Sequence, residues 1–464
     1  MQSSKILKKF ERICFVLPPF SGSRYVRFSH FPIITASLVA VAGEHAETLC
    51  LDCPARGVRA DEAVEHIFNW KPDLVLIVPF EYRRELPLSD ALHLIELLKS
   101  KDARLPIGML NCPPAKPELG KNKTTGADFV VFGDSEAAVK ALSQGSMHIP
   151  GAAFPGKSPG KIVGVNWHEV PAPAWNRFSL SDYLPSAHRY TRLPSLPVFM
   201  SRACPYLCDF CPESLYNSTR KYNLKPAELV LKEIRILVET YGIKEVEFYD
   251  PTFAFNRRET EKLCALLSES DLDITWTCYT RCDLLDEDLL SKMYLAGCRC
   301  ILFGVESGDA RVLGRTGKNL SFQSVRETVQ LCKKYKIRSI ASFILGLPMD
   351  TSATLMKTIQ LAISLDPDYA QFHPAISYFA HDEWNRLGRV DHIRNISGTG
   401  FNGMPFIPQG LSSFAIKQYL LRISLQFYLR TRKILQLLTK VVSLRDIFRL
   451  LSGLRQVVRA FVRI

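Results

Sequence analysis

Two successive series of short Val/Ile/Leu-rich runs constrain the chain most, each run parted from the next by a longer segment with apolar residues three and four apart. In the first series the runs are RICFVL from Arg12, AETLCLD from Ala46, DLVLIV from Asp73, LPIGML from Leu105 and DFVVF from Asp128. Near-continuous apolar runs of this length read as strands buried on both faces, the condition of a parallel sheet wrapped by helices. DEAVEHIFNW from Asp61 and SDALHLIELLKSK from Ser89 supply the helical spacing between them. The expected solution over 1–145 is a doubly wound α/β domain.

From 146 to 197 the pattern breaks into a proline-rich stretch with little periodicity, read as a connecting segment that packs on the surface. The second series occupies 198–395, with strands expected at VFMS (198), EVEFYD (245), ITWTCY (274), CILFGV (300), SIASFIL (339) and DYAQFH (368). Helical segments such as PAELVLKEIRILVETYG from Pro226 fall between them and end in glycine. Six strand-helix units predict a partial (β/α)6 barrel, whose chemistry belongs on loops at the C-terminal strand ends. The region 396–464 reads as a basic helical end.

The apolar stretch Phe31–Gly43 is too short for a bilayer span, which takes about 20 residues, so no transmembrane helix is expected. Thirteen cysteines, an odd number scattered over 464 residues without an evident signal sequence, read as reduced cytoplasmic thiols instead of a disulfide framework.

Three of them stand apart. In SRACPYLCDFCPES, Cys204, Cys208 and Cys211 make C-x3-C-x2-C directly after the first strand of the second series. Thiolates at this spacing can serve one metal centre. Iron-sulfur clusters generally take four such ligands, so three on one loop leave one iron open to a small molecule. A zinc site with a distant fourth ligand and three unrelated buried thiols are the alternatives.

This motif, with an aromatic before its third cysteine, resembles that of the radical S-adenosylmethionine superfamily. The resemblance implies that Cys204, Cys208 and Cys211 hold a [4Fe-4S] cluster and that Phe210 lies near the adenine of S-adenosylmethionine. The open iron takes the methionine amino and carboxylate groups. Reductive cleavage of the sulfonium then gives methionine and a 5′-deoxyadenosyl radical, which abstracts substrate hydrogen; the protein positions and shields this chemistry. Further likenesses follow the strand ends. Asp250 in EFYDPTFAFN stands where the family offers a polar group to the methionine amine, and Arg281 in WTCYTRCD is suited to a carboxylate. Glu306 and Ser307 in FGVESG occupy the position that holds ribose or methionine, and Gly346 in SFILGLPMDT permits close approach to adenine.

Within the superfamily the likeness is to the branch with an N-terminal cobalamin-binding domain, which includes cobalamin-dependent methyltransferases and the magnesium-protoporphyrin cyclase type. ICFVLPPF, with Pro19, resembles that branch's first strand and proline turn, and GADFVVFGDSEAAVKAL, with Gly133, resembles its final element. Two stretches depart: Y-P-P-L-G-L appears as FPIITA, and the glycine-rich G-G-P-H loop as LNCPPA, with Asn111 and Cys112. No D-x-H-x-x-G motif occurs to supply a lower cobalt ligand. The resemblance therefore implies a radical enzyme that methylates an unactivated carbon of a small molecule, lipid or tetrapyrrole, fed by a flavodoxin- or ferredoxin-type electron donor. A cobalamin-independent or non-methylating radical reaction is the second reading. A non-catalytic iron-sulfur or corrinoid-binding protein is the third.

Charge adds one point. The net +13 is concentrated in 417–464, where 11 Lys/Arg face the single acid Asp446. SLRDIFRLLSGLRQVVRAFVRI carries an apolar and an arginine stripe, read either as a helix lying on an anionic membrane surface, which would place the protein at the inner membrane face, or as a helix closing over a core. Nucleic acid is not expected, since few aromatics interleave with the bases. His373, Tyr378 and His381 follow the last barrel strand as candidate acids, bases or donors.

Overall fold

The computed structural model of the chain describes residues 9–20, 30–81, 84–85, 88–114, 119, 125–146, 148–155, 157–183, 189–213, 221–377, 382–390 and 404–438. These residues divide into two compact units. One comprises the described residues of Met1–Pro185, Ser201–Pro205 and Leu215–Pro226, the other those of Ser186–Met200, Tyr206–Ser214 and Ala227–Ile464.

The first unit alternates β1 (Arg12–Leu17), α1 (Ile33–Gly43), β2 (Glu47–Asp52), α2 (Ala60–Trp70), β3 (Leu74–Ile77), α3 (Leu88–Lys101), β4 (Ile107–Cys112), β5 (Phe129–Phe132), α4 (Glu136–Gln144) and β6 (Ala152–Ala153). Its sheet runs β2-β1-β3-β4-β5-β6, parallel except for the last pair. The order reverses between β1 and β3, and a doubly wound sheet opens its ligand crevice beyond the carboxyl ends of the strands at such a reversal. The apolar stretch Phe31–Gly43 contributes α1, a helix buried on nearly every side. Its first turn has no local cap. Glu81 instead accepts from Ile34 N (3.0 Å), Thr35 N (2.9 Å) and Thr35 Oγ1 (2.7 Å).

The segment expected as a surface connector does more than connect. Ala152–Ala153 adds the antiparallel edge strand, and Trp167, Trp175, Phe178 and Tyr183 are buried. Phe178 and Tyr183 pack edge-on against Phe31, at 5.1 and 5.2 Å between ring centroids. Periodicity missed this contribution because isolated aromatics, not a repeating face, make it.

In the second unit β7 (Ser195–Val198) comes first. The short pair β8 (Ser201–Arg202) and β9 (Asn223–Leu224) that follows belongs to the first unit. Then come α5 (Ala227–Tyr241), β10 (Glu245–Phe248), α6 (Arg257–Glu269), β11 (Thr275–Thr280), α7 (Glu287–Leu295), β12 (Cys298–Glu306), α8 (Phe322–Lys334), β13 (Arg338–Leu345), α9 (Ser352–Leu365) and β14 (Tyr369–Pro374). The sheet is parallel, open and sequential, β14-β13-β12-β11-β10-β7, the arrangement of a partial barrel. β7 begins three residues before the expected VFMS and includes Pro197, which an edge strand tolerates. Phe248 and Trp276 pack with Phe253 on the helix-covered face, where Trp276 Nε1 donates to Ala296 O at 2.7 Å. Glu245, Glu247, Thr277 and Tyr279 occupy the alternate positions, on the other face.

The C-terminal region is not helical throughout: Met404–Pro408 forms a strand before α10 (Ser413–Tyr428) and α11 (Thr431–Leu438). α10 buries Ile416, Ile423 and Phe427, and Arg430, Arg432 and Lys433 converge on Asp366 at 2.8, 3.0 and 3.2 Å. This part of the basic segment closes over its own core. The arginine-striped segment from Ser443 onward, expected as a helix, and Tyr378 and His381 lie outside the described residues. Among the described residues no helix is long and apolar enough to cross a membrane.

Candidate functional site

No disulfide joins any of the thirteen cysteines. Ten of them, Cys14, Cys50, Cys53, Cys112, Cys264, Cys278, Cys282, Cys298, Cys300 and Cys332, are buried, and burial pushes every one of these thiols up, to about 12 at Cys14, Cys264 and Cys282. A thiol held protonated is a poor ligand and a poor nucleophile. Cys204 and Cys211 are half-buried, and Cys208 is buried. Among the described residues no three His, Cys, Asp or Glu side chains converge to hold a single metal ion. A cluster makes a different demand, because each thiolate takes a different iron and the donors need not meet at one point. Three soft sulfur donors within eight residues fit that demand, and the sealed thiols elsewhere do not.

The chain entering Cys204 is fixed within the first unit. Arg202, with its side chain only 3% exposed, pairs with Asp134 through Nη1 at 3.2 Å and with Glu136 through Nη2 at 2.7 Å. Its guanidinium also lies 5.3 Å from the Trp167 ring centroid, and the Lys225 ammonium lies 4.6 Å from the same ring. Ala203, between Arg202 and Cys204, is left-handed at φ 64°, a conformation that costs about 1–2 kcal/mol for a residue with a Cβ. The buried pairs on its N-terminal side hold that turn.

In the second unit the rest of the cysteine loop lies against the turn after β12. Asp209 N donates to Thr316 O at 3.2 Å, and Trp384 Nε1 donates to Asp209 Oδ2 at 3.1 Å. Phe210 packs on the cluster of Val312, Leu347, Ala375, Trp384 and Phe406, with Lys318 Nζ 5.9 Å from its ring centroid. Lys318 pairs with Glu306 at 2.7 Å, both side chains 8% exposed. Glu306 is left-handed at φ 66°, and a Cβ on Gly304 would stand 1.8 Å from Glu306 Oε1 and 2.5 Å from Lys318 Nζ. The pair fills the space that a side chain at 304 would take. Lys318 was not singled out from the sequence; the G-K that follows a short helix gives no local sign of its partner.

The other strand-end residues divide by role. Asp250 is fully buried and accepts from Met200 N at 3.0 Å, fixing the end of the first barrel strand. Arg281 is bidentate to Asp283 (2.9 and 2.8 Å), donates to Asn319 O at 3.2 Å and lies 4.0 Å from the Tyr206 ring centroid. Ser307 accepts from Asp309 N at 3.2 Å and stands beside Thr358. Gly346 is left-handed at φ 90°, and its N–H donates to Asp350, which also accepts from Leu347 N and Thr354 Oγ1. Burial raises the Asp350 carboxyl to about 6.

Pro19, Asn111 and Gly133 lie at or just beyond the ends of β1, β4 and β5, on one edge of the first sheet. Pro19 is buried. Asn111 is left-handed at φ 55°, donates its N–H to Ser135 Oγ at 2.8 Å and bonds through Nδ2 to Phe80 O. Asn tolerates that conformation better than other residues with a side chain, so replacing the family's glycine retains a glycine-like backbone there. Gly133 is left-handed at φ 75°, and a Cβ would fall 2.7 Å from Ile162. In conformation this edge fits a corrinoid loop, although the Asn111 amide already serves its own neighbours.

His373, on β14, is neutral: burial, aided by Arg189, lowers its imidazole to about 4. The unfolded chain takes up this proton near pH 6.5, so stability is lost as pH falls from about 6.5 to 4, by about 3 kcal/mol. Asp350 acts oppositely in part of that window, since its raised carboxyl gains as pH falls through about 6. The difference between parent and His373→Gln isolates the histidine. Urea unfolding across this range is expected to give the parent the larger acid-side loss, and parallel curves would refute the assignment.

The chain matches the family model described as Radical SAM superfamily over residues 198–362. It is 30% identical over 387 residues to an uncharacterised methyltransferase of Pyrococcus horikoshii, covering 80% of this chain and 82% of that one. It is 26% identical to the anaerobic magnesium-protoporphyrin IX monomethyl ester cyclase of Rubrivivax gelatinosus, over 81% of this chain and 70% of the other. Among solved structures, the cobalamin-dependent S-adenosylmethionine radical enzyme OxsB, with aqua-cobalamin and S-adenosylmethionine bound, superposes with TM-score 0.70 at 16% identity, covering 98% of this chain and 72% of that one. The radical S-adenosylmethionine methyltransferase TsrM of Kitasatospora setae, with cobalamin and a [4Fe-4S] cluster bound, gives 0.63 at 16% identity, over 88% and 81%. At such identity these two are likenesses of fold.

Proposed function

Because the chain belongs to the radical S-adenosylmethionine superfamily, we propose that it is a cobalamin-dependent methyltransferase acting on an unactivated carbon of a small molecule, lipid or tetrapyrrole. One observation carries the cobalamin part: an N-terminal sheet of order β2-β1-β3-β4-β5 whose far edge keeps left-handed Asn111 and Gly133. When bound, the cluster and S-adenosylmethionine supply a carbon-centred radical, and cobalamin supplies the methyl group.

This chain's residues have the remaining tasks. Cys204, Cys208 and Cys211 would ligate the cluster, and Arg202 holds the turn that precedes the first of them. Phe210 offers a face to adenine, and the Glu306–Lys318 pair offers buried charge to the polar end of S-adenosylmethionine. Arg281, with two donors spent on Asp283, keeps donors for a carboxylate. Gly346 takes a left-handed turn after β13 that a side chain would strain, with Ile416 Cδ1 3.1 Å from where its Cβ would stand. A flavodoxin- or ferredoxin-type donor would deliver the electron, and the arginine-striped C-terminal segment, expected from its sequence to be helical, would allow peripheral contact with a membrane.

Anaerobically purified protein incubated with hydroxocobalamin is expected to retain about one corrinoid per chain. With S-adenosylmethionine and reductant it should form both 5′-deoxyadenosine and S-adenosylhomocysteine. Formation of 5′-deoxyadenosine alone, with no corrinoid retained, would replace this reading by a non-methylating radical reaction, which the likeness to the Rubrivivax gelatinosus cyclase favours.

A further inference from the structure

On the face of the second unit's sheet opposite Trp276, the Arg189 guanidinium has, among the described residues, neither an ion pair nor an acceptor for its Nε–H. Arg189 lies ahead of β7, and its carbonyl accepts from Thr277 Oγ1 at 3.0 Å. Its guanidinium is 5.9 Å from the Tyr279 ring centroid. The Nε atom is sealed from solvent without a hydrogen-bond acceptor, and among the described residues no carboxylate comes within ion-pair distance. The two nearby acids are spoken for: Glu245 accepts from Thr191 N, Arg192 N, Thr275 Oγ1 and Thr277 Oγ1, and Glu247 accepts the buried Tyr279 hydroxyl. The other cations of this face are engaged, Lys318 by Glu306 and Arg338 by Tyr190 O at 2.7 Å. A sealed donor left unpaired is costly, more so when charged, and buried charges are normally paired.

The surroundings suit a ligand. Leu302, Gly304, Ser342, Ile344, Gln371 and His373, at alternate positions of three neighbouring strands, stay partly exposed. The register aligns Gly304, Ser342 and Gln371 in one row and Ile344 with His373 in the next. Gln371 and Ser342 bring neutral polar groups, and His373, kept neutral, adds no second positive charge. The Arg189 guanidinium, outside ion-pair distance of any described carboxylate, balances one negative charge. That is the charge of a carboxylate; a phosphate dianion would leave one charge uncompensated.

We propose that Arg189 anchors a carboxylate of the substrate on the open inner face of the barrel sheet, making the substrate a carboxylic acid whose remainder lies along Ser342, Gln371 and His373. This deepens the proposed function and rests on its reading of the second unit as the catalytic barrel. Guanidinium pairs with carboxylate in a planar, directional way that ammonium does not reproduce.

The test uses reconstituted full-length protein with butyrate and butyramide as probes, alike in size and different in charge, followed by saturation-transfer NMR. Butyrate is expected to bind saturably and butyramide about tenfold more weakly. Arg189→Gln should remove the preference, and Arg189→Lys should keep part of it. Equal binding of the two probes to the parent would overturn the proposal, as would unchanged butyrate binding by Arg189→Gln or displacement of butyrate by a lower concentration of inorganic phosphate. The parent comparison decides even if Arg189→Gln fails to fold. Formation of 5′-deoxyadenosine by the parent is scored separately. A charge preference without it would retire the enzyme reading and keep the anchor; the converse would retire only the anchor.

Discussion

Replacing Cys204, Cys208 and Cys211 together by alanine is expected to abolish the broad visible absorbance of the reconstituted protein and its cleavage of S-adenosylmethionine to 5′-deoxyadenosine. The matching control changes Cys278, Cys298 and Cys300, all buried with thiols raised by burial. That variant should lose stability through cavities on the sheet, roughly 1 kcal/mol or more per site, yet keep the absorbance. Iron and sulfide per chain, measured on both, separate a ligand from a packing thiol. Cluster content equal to the parent in the 204/208/211 variant would end the iron-sulfur assignment.

The second large effect concerns Arg202. Removing it leaves Asp134 and Glu136 buried without the guanidinium that pairs them, so Arg202→Ala should destabilise the apo chain by about 3–5 kcal/mol in urea unfolding. The neutral triple variant Arg202→Met, Asp134→Asn, Glu136→Gln should recover most of that stability, because a buried ion network is often replaceable by apolar or neutral groups. Cluster content should recover less, since the ion pairs that hold Arg202 beside the left-handed Ala203 are then gone. A loss below about 1 kcal/mol for Arg202→Ala would show that the pairs contribute little. Full recovery of iron in the triple variant would show that they serve stability alone.

The two parallel sheets were legible because a strand buried on both faces has a one-dimensional signature, a short Val/Ile/Leu run between helical spacings. The cysteine loop was legible for the same reason: its three thiols are neighbours in the chain. What stayed hidden is joined across the sequence. α1 is apolar all round and shows no helical stripe, and its first turn is capped by Glu81, 47 residues beyond Ile34. The pairing of Arg202 with Asp134 spans 68 residues. Lys318 gained meaning only from Glu306 opposite and from the bare Gly304 between them. Trp167 and Trp175 lay in a segment read as a connector because proline, not periodicity, dominates its composition.

The distribution of thiols bears on how the protein ages in air. Oxidation proceeds through the thiolate, so ten sulfurs that are sealed and held protonated resist sulfenic and sulfinic damage. Oxidation of cysteine is thereby directed to one eight-residue loop. A chain that has lost its inorganic centre then keeps its folded interior chemically intact, and reducing three side chains readies it for repair.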